Sequence, residues 1–265
     1  MCIFFITANA FAIEDTKGIK LPIIMYHSVL KDSKRSGDYV ISTTELENDL
    51  VYLKLNGYKT LLMSDVFKYV YEGIELPEKC VMLTFDDVFR NSLVYVLPLL
   101  EKYNMKANVS VVGYYTEKFS DLSDNNPAYA YLTYDDILEL KRSGLIEIGN
   151  HSFNMHTCNY KRKGVTKNKD ETIEKYTDIF IRDTFTTENN LYKKCGIKPQ
   201  FYVYPFGFYC NESEEILKSL GYKSTFICCE KQNYLTREPS CLYKLNRYNR
   251  PSGISSEDFF EKVLK

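Results

Sequence analysis

From residue 22 onward, short apolar runs alternate with longer stretches in which apolar positions recur every three or four residues. PIIMYH at 22–27 reads as a strand, and Thr44-Glu45-Leu46-Glu47 as a capping box for a helix that carries Leu46, Leu50 and Leu53 and stops at Gly57. Residues 59–63 are a short strand, and Ser64 caps a helix ending near Gly73. VMLTFDD makes 80–86 a strongly apolar strand ending in two aspartates. A helix over 92–103, bent or restarted at Pro98, leads to a strand at 107–112. The T-x-x-D start at Thr133 opens a helix to Ser143, stopped by Gly144, and 145–149 is a strand running into GNHSFNMH. After a polar surface loop at 161–170, the pattern gives a long helix over 171–194, a strand at 201–204 and a helix at 212–220. Strands at 223–228 and 243–247 and a helix at 256–264 complete the chain.

Strands separated by helices pair in parallel through crossover connections, which predicts an α/β fold. With no internal repeat and no linker rich in Pro, Gly or Ser, one domain over about residues 21–265 is the simplest organisation. His27, Asp86-Asp87, His151 and Phe206-Gly207 all fall just after predicted strand ends. A (β/α) barrel keeps its active site there, and an open doubly wound sheet also binds ligands at strand carboxyl ends.

Composition narrows the function. A net charge of -1 gives no electrostatic footprint for nucleic acid. No run reaches the roughly 18 apolar residues of a membrane span. MCIFFITANAFA at 1–12 resembles the h-region and A-x-A site of a secretory signal without its basic start, which predicts a secreted or cell-surface protein. The eight cysteines have no C-x-x-C spacing, so a cysteine-rich zinc site is not expected, and they offer no readable disulfide framework.

The candidate chemistry lies in few residues. There are three histidines, His27, His151 and His156, and one carboxylate pair at the end of a fully apolar strand, Asp86-Asp87. Two adjacent carboxylates are costly to bury ionised unless a cation balances them. His151 and His156 are i, i+5, which does not share a helix face. They read as a loop that turns both rings inward, with Ser152 available to hold it through a side-chain bond. Two imidazoles and a carboxylate form a facial ligand set for a zinc-like ion, and a second carboxylate beside them is a ready general base. Together they point to metal-assisted hydrolysis.

TFDD at 84–87, GNHSFNMH at 149–156 and YPFG at 204–207, in this order and spacing, resemble the three motifs of the polysaccharide deacetylases of the NodB-homology type, carbohydrate esterase family 4. The resemblance covers about residues 21–250. It implies a distorted (β/α)7 barrel, Asp86 as catalytic base, Asp87, His151 and His156 as metal ligands, and the Phe206 N–H as an oxyanion donor. The implied reaction removes acetyl groups from an N-acetylated polysaccharide. The metal is zinc by default, and cobalt or nickel suits the same donors. The longer histidine motif and the segment IMYHS are similar to the branch that acts on exported poly-N-acetylglucosamine. Three departures stand out. Val88 replaces the usual Gly, so the turn after the aspartates could differ. The arginine common before the third motif is missing from FYVYPFG, and Arg247 could replace it as the partner of Asp86. No histidine follows His156, which leaves His27 as the imidazole able to protonate the leaving amine. The alternatives are a carbohydrate-binding relative with impaired catalysis and a metal-dependent esterase for small acyl substrates.

Overall fold

A computed structural model of the protein describes residues 18–31, 34–122 and 124–264. The expected secretory segment at 1–12 lies outside them. In chain order the strands are β1 (Ile19–Leu21), β2 (Ile23–Tyr26), β3 (Ser28–Leu30), β4 (Val40–Ser42), β5 (Lys59–Thr60), β6 (Cys80–Phe85), β7 (Ala107–Val111), β8 (Ile146–Asn150), β9 (Phe201–Val203), β10 (Ser224–Phe226), β11 (Asn233–Leu235) and β12 (Tyr248–Asn249). The helices are α1 (Thr43–Leu55), α2 (Met63–Phe67), α3 (Leu97–Tyr103), α4 (Gly113–Asp121), α5 (Tyr134–Arg142), α6 (Ile173–Cys195), α7 (Asn211–Ser219) and α8 (Ser256–Leu264).

The main sheet runs β10-β9-β8-β7-β6-β2-β12, with β5 also on β6. Every pairing within it is parallel. The sheet curls into a half-barrel, and a single parallel bridge from Phe226 to Leu245 draws its two ends together. This is a mixed α/β, single-domain architecture built on one curled parallel sheet.

Strand alternation sorts the core into two layers. In β6, Val81, Leu83 and Phe85 join the layer packed by α1, α3, α5 and α8, whereas Cys80 and Met82 join the cluster inside the curl. All six residues of β6 are buried, as expected of a parallel strand covered on both faces. The same parity carries Thr84 and then Asp86 to the inner side. Gly149 in β8 is dictated by packing, because a Cβ there would sit 2.0 Å from the Phe201 ring.

Several boundaries differ from the sequence expectation. The α1 capping box uses Ser42 and Glu45 rather than Thr44 and Glu47. Extended backbone persists through β4 to Ser42, so that residue becomes the cap. Ser64 lies inside α2 instead of capping it, and the Leu62 N–H is taken by the Asp65 side chain. After Phe67 the helix continues as a π-type turn over Lys68–Glu72 and ends at Gly73. The strand expected at 59–63 is only Lys59–Thr60. The strand expected at 243–247 does not form. A 3-10 turn over Pro239–Leu242 and a left-handed Lys244 (φ 60°) interrupt the extended run, and pairing resumes at β12. The sequence reading missed α4, β1, β3, β4 and β11, which are short or lack a strong apolar period.

Glu45 ties α1 to the segment before α8. It accepts from the Ser42 N–H (2.7 Å), the Ser252 hydroxyl (2.8 Å) and the Gly253 N–H (2.8 Å). Burial pushes its pKa up, but these donors outweigh it and lower it from 4.5 to about 2. A folded-state pKa below the unfolded one stabilises above the unfolded value and is lost as pH falls. Glu45→Gln should therefore flatten the loss of stability between pH 4.5 and about 2. Urea midpoints across that range check this, and an unchanged slope would contradict it.

Candidate active site

The carboxyl ends of β2, β6, β8 and β9 deliver the chemical residues to one cleft of about 450 Å³. His27, Asp86, Asp87, His151, His156 and Phe206 all line it.

Asp86 leaves β6 with its N–H bonded to the Tyr26 carbonyl (3.0 Å). Its Oδ1 accepts from Ser110 Oγ (2.9 Å) and from Arg247 Nη1 (2.8 Å). Arg247 is fully buried and is held from behind by the Ile227 carbonyl (3.1 Å) and Cys228 Sγ (3.5 Å). Burial pushes the Asp86 carboxyl up, but Arg247 and then His151 pull it well below the usual carboxylate range. Asp86 is therefore an ionised group at the mouth of an apolar strand, with its countercharge behind it.

Asp87 and Val88 turn the chain with φ of 63° and 47°. The turn thus keeps a left-handed form that glycine would adopt without strain, with Val88 bearing it while its side chain is buried in the core. Of the six non-glycine residues with positive φ among the described residues, four are Asp87, Val88, Ser152 and Phe206. Such strain, of order 1–3 kcal/mol each, persists only where the surroundings enforce it, and it clusters at functional sites.

His151 follows β8, and its Nδ1 lies 2.7 Å from the Val203 carbonyl of β9. That contact places the proton on Nδ1 and leaves the Nε2 lone pair facing the cleft. Burial lowers the His151 pKa to about 4, so the ring is neutral. Burial also pulls His156 down, but Asp87 outweighs it and raises that pKa. The loop between the two histidines is held by its neighbours. The Ser152 N–H donates to Asn150 Oδ1 (2.9 Å), and the Phe153 and Asn154 N–H groups donate to the Asp183 carboxylate (2.8 and 2.7 Å). Burial pushes Asp183 up to about 6 although these donors pull it down. Ser152 Oγ, expected to hold the loop, is buried without a partner among the described residues; Asn150 and Asp183 hold the loop instead. Asp183 sits in α6, 29 residues beyond Asn154, and no local sequence signal marks it.

Asp87 Oδ1 lies 2.9 Å from His156 Nε2 and 3.6 Å from His151 Nε2. The three donor atoms lie within 4.8 Å of one another. Asp87 Oδ1 is buried, and apart from these two imidazoles no hydrogen-bond partner reaches it among the described residues. A buried carboxylate oxygen facing two imidazoles, one of them with its proton held on the far nitrogen, fits a divalent cation, and one carboxylate with two imidazoles is a zinc-type donor set. His27 Nδ1 is buried without a hydrogen-bond partner among the described residues, so that nitrogen is not occupied there as in an ordinary core histidine. Its ring stands edge-on to Tyr39, with centroids 4.8 Å apart. Burial lowers its pKa, and Asp86 and Asp87 counter that in part.

A curled parallel sheet with a carboxylate, imidazoles and an arginine-paired aspartate at its carboxyl mouth defines a hydrolase-type barrel. The chain belongs to the polysaccharide deacetylase family, whose profile matches residues 73–225. Poly-beta-1,6-N-acetyl-D-glucosamine N-deacetylase of Escherichia coli (strain K12) is 26% identical over 223 residues, covering 77% of this chain. The chain spans about a third (33%) of the length of that relative. The enzyme of the same name from Staphylococcus aureus (strain MRSA252) is 23% identical over 88% of this chain and 73% of its own. Among solved structures, Streptococcus pyogenes deacetylase PplD in complex with acetate superposes with a TM-score of 0.74. It is 22% identical, and the match covers 93% of this chain and 99% of that one. No helix among the described residues is long and apolar enough to cross a membrane.

Proposed function

We propose that the protein is a metal-dependent N-deacetylase that acts outside the cytoplasm on an N-acetylglucosamine-containing polysaccharide and releases acetate. The observation that carries this reading is the buried Arg247–Asp86 pair (2.8 Å) set beside the buried Asp87 oxygen and its two histidines. The names of the Escherichia coli and Staphylococcus aureus relatives support the N-acetylglucosamine polymer as substrate.

Asp87, His151 and His156 would hold the metal. When bound, that ion would polarise the amide carbonyl and make a nearby water more acidic. The remaining roles belong to the chain. Asp86 takes a proton from the water whose oxygen attacks the carbonyl carbon. Arg247 keeps Asp86 charged and aimed. The Phe206 N–H, in the first turn of a 3-10 helix over Pro205–Gly207, is a donor for the developing oxyanion. The C–N bond then breaks, the nitrogen takes up a proton from His27, and acetate leaves. Burial keeps His27 neutral at rest, so the proton that reaches the leaving nitrogen by way of His27 is the one Asp86 took from the water, and Asp86 is left ionised for the next turnover. Arg247 supplies from late in the chain the countercharge missing before YPFG, which weighs against the binding-only alternative.

The test is acetate release from N-acetylglucosamine oligomers after metal is stripped and zinc restored. No zinc-dependent release from any such oligomer would sink the reading. His151→Ala is expected to weaken metal binding by well over about tenfold, since loss of even an outer-sphere partner costs 10–100-fold. Metal content after dialysis checks this, and wild-type retention would remove His151 from the ligand set.

A further inference from the structure

The backbone of the loop that carries both histidines is gripped from two sides. On one side lies the amino end of α4, where the Gly113 N–H donates to the Ser152 carbonyl (3.0 Å) and the Tyr114 N–H to the Phe153 carbonyl (3.0 Å). On the other lies Asp183 of α6. Its two carboxylate oxygens take one N–H each, Phe153 on Oδ1 (2.8 Å) and Asn154 on Oδ2 (2.7 Å). The stem is fixed as well. The His151 N–H donates to the Val111 carbonyl (2.9 Å). Asn150, which receives the Ser152 N–H, donates its own amide to the Thr184 carbonyl (3.1 Å) and the Tyr222 hydroxyl (2.8 Å).

Little slack is left between these parts. A Cβ on Gly113 would meet Thr187 Oγ1 at 2.5 Å and the Phe153 ring at 2.9 Å, so α4, α6 and the loop touch there. Ser152 holds a left-handed backbone (φ 70°), which a non-glycine residue keeps only where its surroundings enforce it. Successive N–H groups in such a turn form a concavity that suits an anion, and here the chain supplies the anion itself. Arg162 acts on Asp183 from nearby but is paired with Glu171, so the charge of Asp183 is directed into the loop.

The two histidines depend on this grip to different degrees. His151 is pinned by the Val203 carbonyl on its Nδ1 (2.7 Å). Among the described residues no carbonyl of a strand does the same for His156. Its ring meets Asp87 (2.9 Å) and the rings of His151 and Phe206, with centroids 4.9 and 4.6 Å away. The course of the loop therefore delivers His156 to the cluster.

We propose that Asp183 is a positioning residue of the metal centre. By clamping Phe153 and Asn154 it holds His156 in reach of Asp87 and His151, and so sets how tightly and in what geometry a divalent cation is bound. This rests on the metal-ligand part of the deacetylase reading.

The test is calorimetric titration of Co2+ into the metal-stripped full chain, with the visible absorption of the cobalt-loaded protein recorded alongside. Wild type is compared with Asp183→Ala, Asp183→Asn and a control on the same helix, Asp178→Asn, at an exposed position paired only with Arg182. Asp183→Ala is expected to weaken Co2+ binding about 10–100-fold, the range for losing an outer-sphere partner, and to shift the cobalt band because a displaced ring changes the ligand field. Asparagine keeps the shape and one acceptor oxygen but turns an NH2 toward the other N–H. Asp183→Asn should therefore weaken binding about tenfold while staying folded by circular dichroism, and it decides the question if the alanine variant does not fold. Asp178→Asn should match the wild type. Wild-type affinity and an unshifted band in the folded Asp183 variants, or equal weakening in the Asp178 control, would overturn the assignment. Cobalt bound by the wild type and weakened in the Asp183 variants, with no acetate from any oligomer, would support the clamp and overturn the deacetylase reading. No uptake of Co2+ or Zn2+ by the wild type would overturn both.

Discussion

Asp86→Asn is expected to lower acetate release by about 10²–10⁴-fold, the range for loss of a general base, with metal content unchanged. Asparagine keeps an oxygen to accept from Ser110 and Arg247 but cannot take a proton from water. The Asp-His-His donor set does not include Asp86, so the ion should stay. Because the substitution leaves the buried Arg247 charge without its partner, the variant should also melt earlier than the wild type. Activity and metal content therefore need to be read at a temperature where circular dichroism shows both proteins folded. Near-wild-type release from the folded variant would remove Asp86 as the base, and loss of metal together with activity would place it among the ligands.

Arg250→Met is expected to destabilise the fold by about 3–5 kcal/mol, because it strands a buried carboxylate. Asp49 is fully buried in α1, among Leu46, Leu50 and Leu53. It receives Arg250 Nη2 at 3.0 Å and Nε at 2.9 Å, together with the Tyr26 hydroxyl (3.0 Å) and the Ser256 hydroxyl (2.6 Å). One carboxylate thus joins the first long helix, strand β2 and α8. Replacing both charges, as Asp49→Leu with Arg250→Met, should recover much of the loss, since apolar replacements of a buried pair are often neutral. Urea denaturation of the three variants measures this. A single Arg250→Met variant within about 1 kcal/mol of wild type would show that the pair contributes little.

How much of this was legible beforehand depended on range. The apolar run at 80–85 and the T-x-x-D start at Thr133 reported their elements directly, since burial on both faces and a local cap leave marks within a few residues. Asp49 left no such mark. At helical spacing within an apolar face it reads as an exception, and its partner lies 201 residues away. Asp183 was equally silent, because a carboxylate in a polar helix gives no sign that it accepts from a distant loop. The expected cap at Thr44 failed for a related reason, as the pairing of β4 with β3 decides where extended backbone gives way to helix.

By itself the sequence determined that strands and helices alternate around a parallel sheet, and that a carboxylate pair and two close histidines follow strand ends. Periodicity and chain order suffice for that, because they act through neighbours in the chain. Only the tertiary structure decided that Arg247 reaches Asp86 across 161 residues, and that a carbonyl 52 residues away sets the proton on His151. Those arrangements depend on how the sheet curls and which strands become neighbours, and that follows from packing the whole core at once.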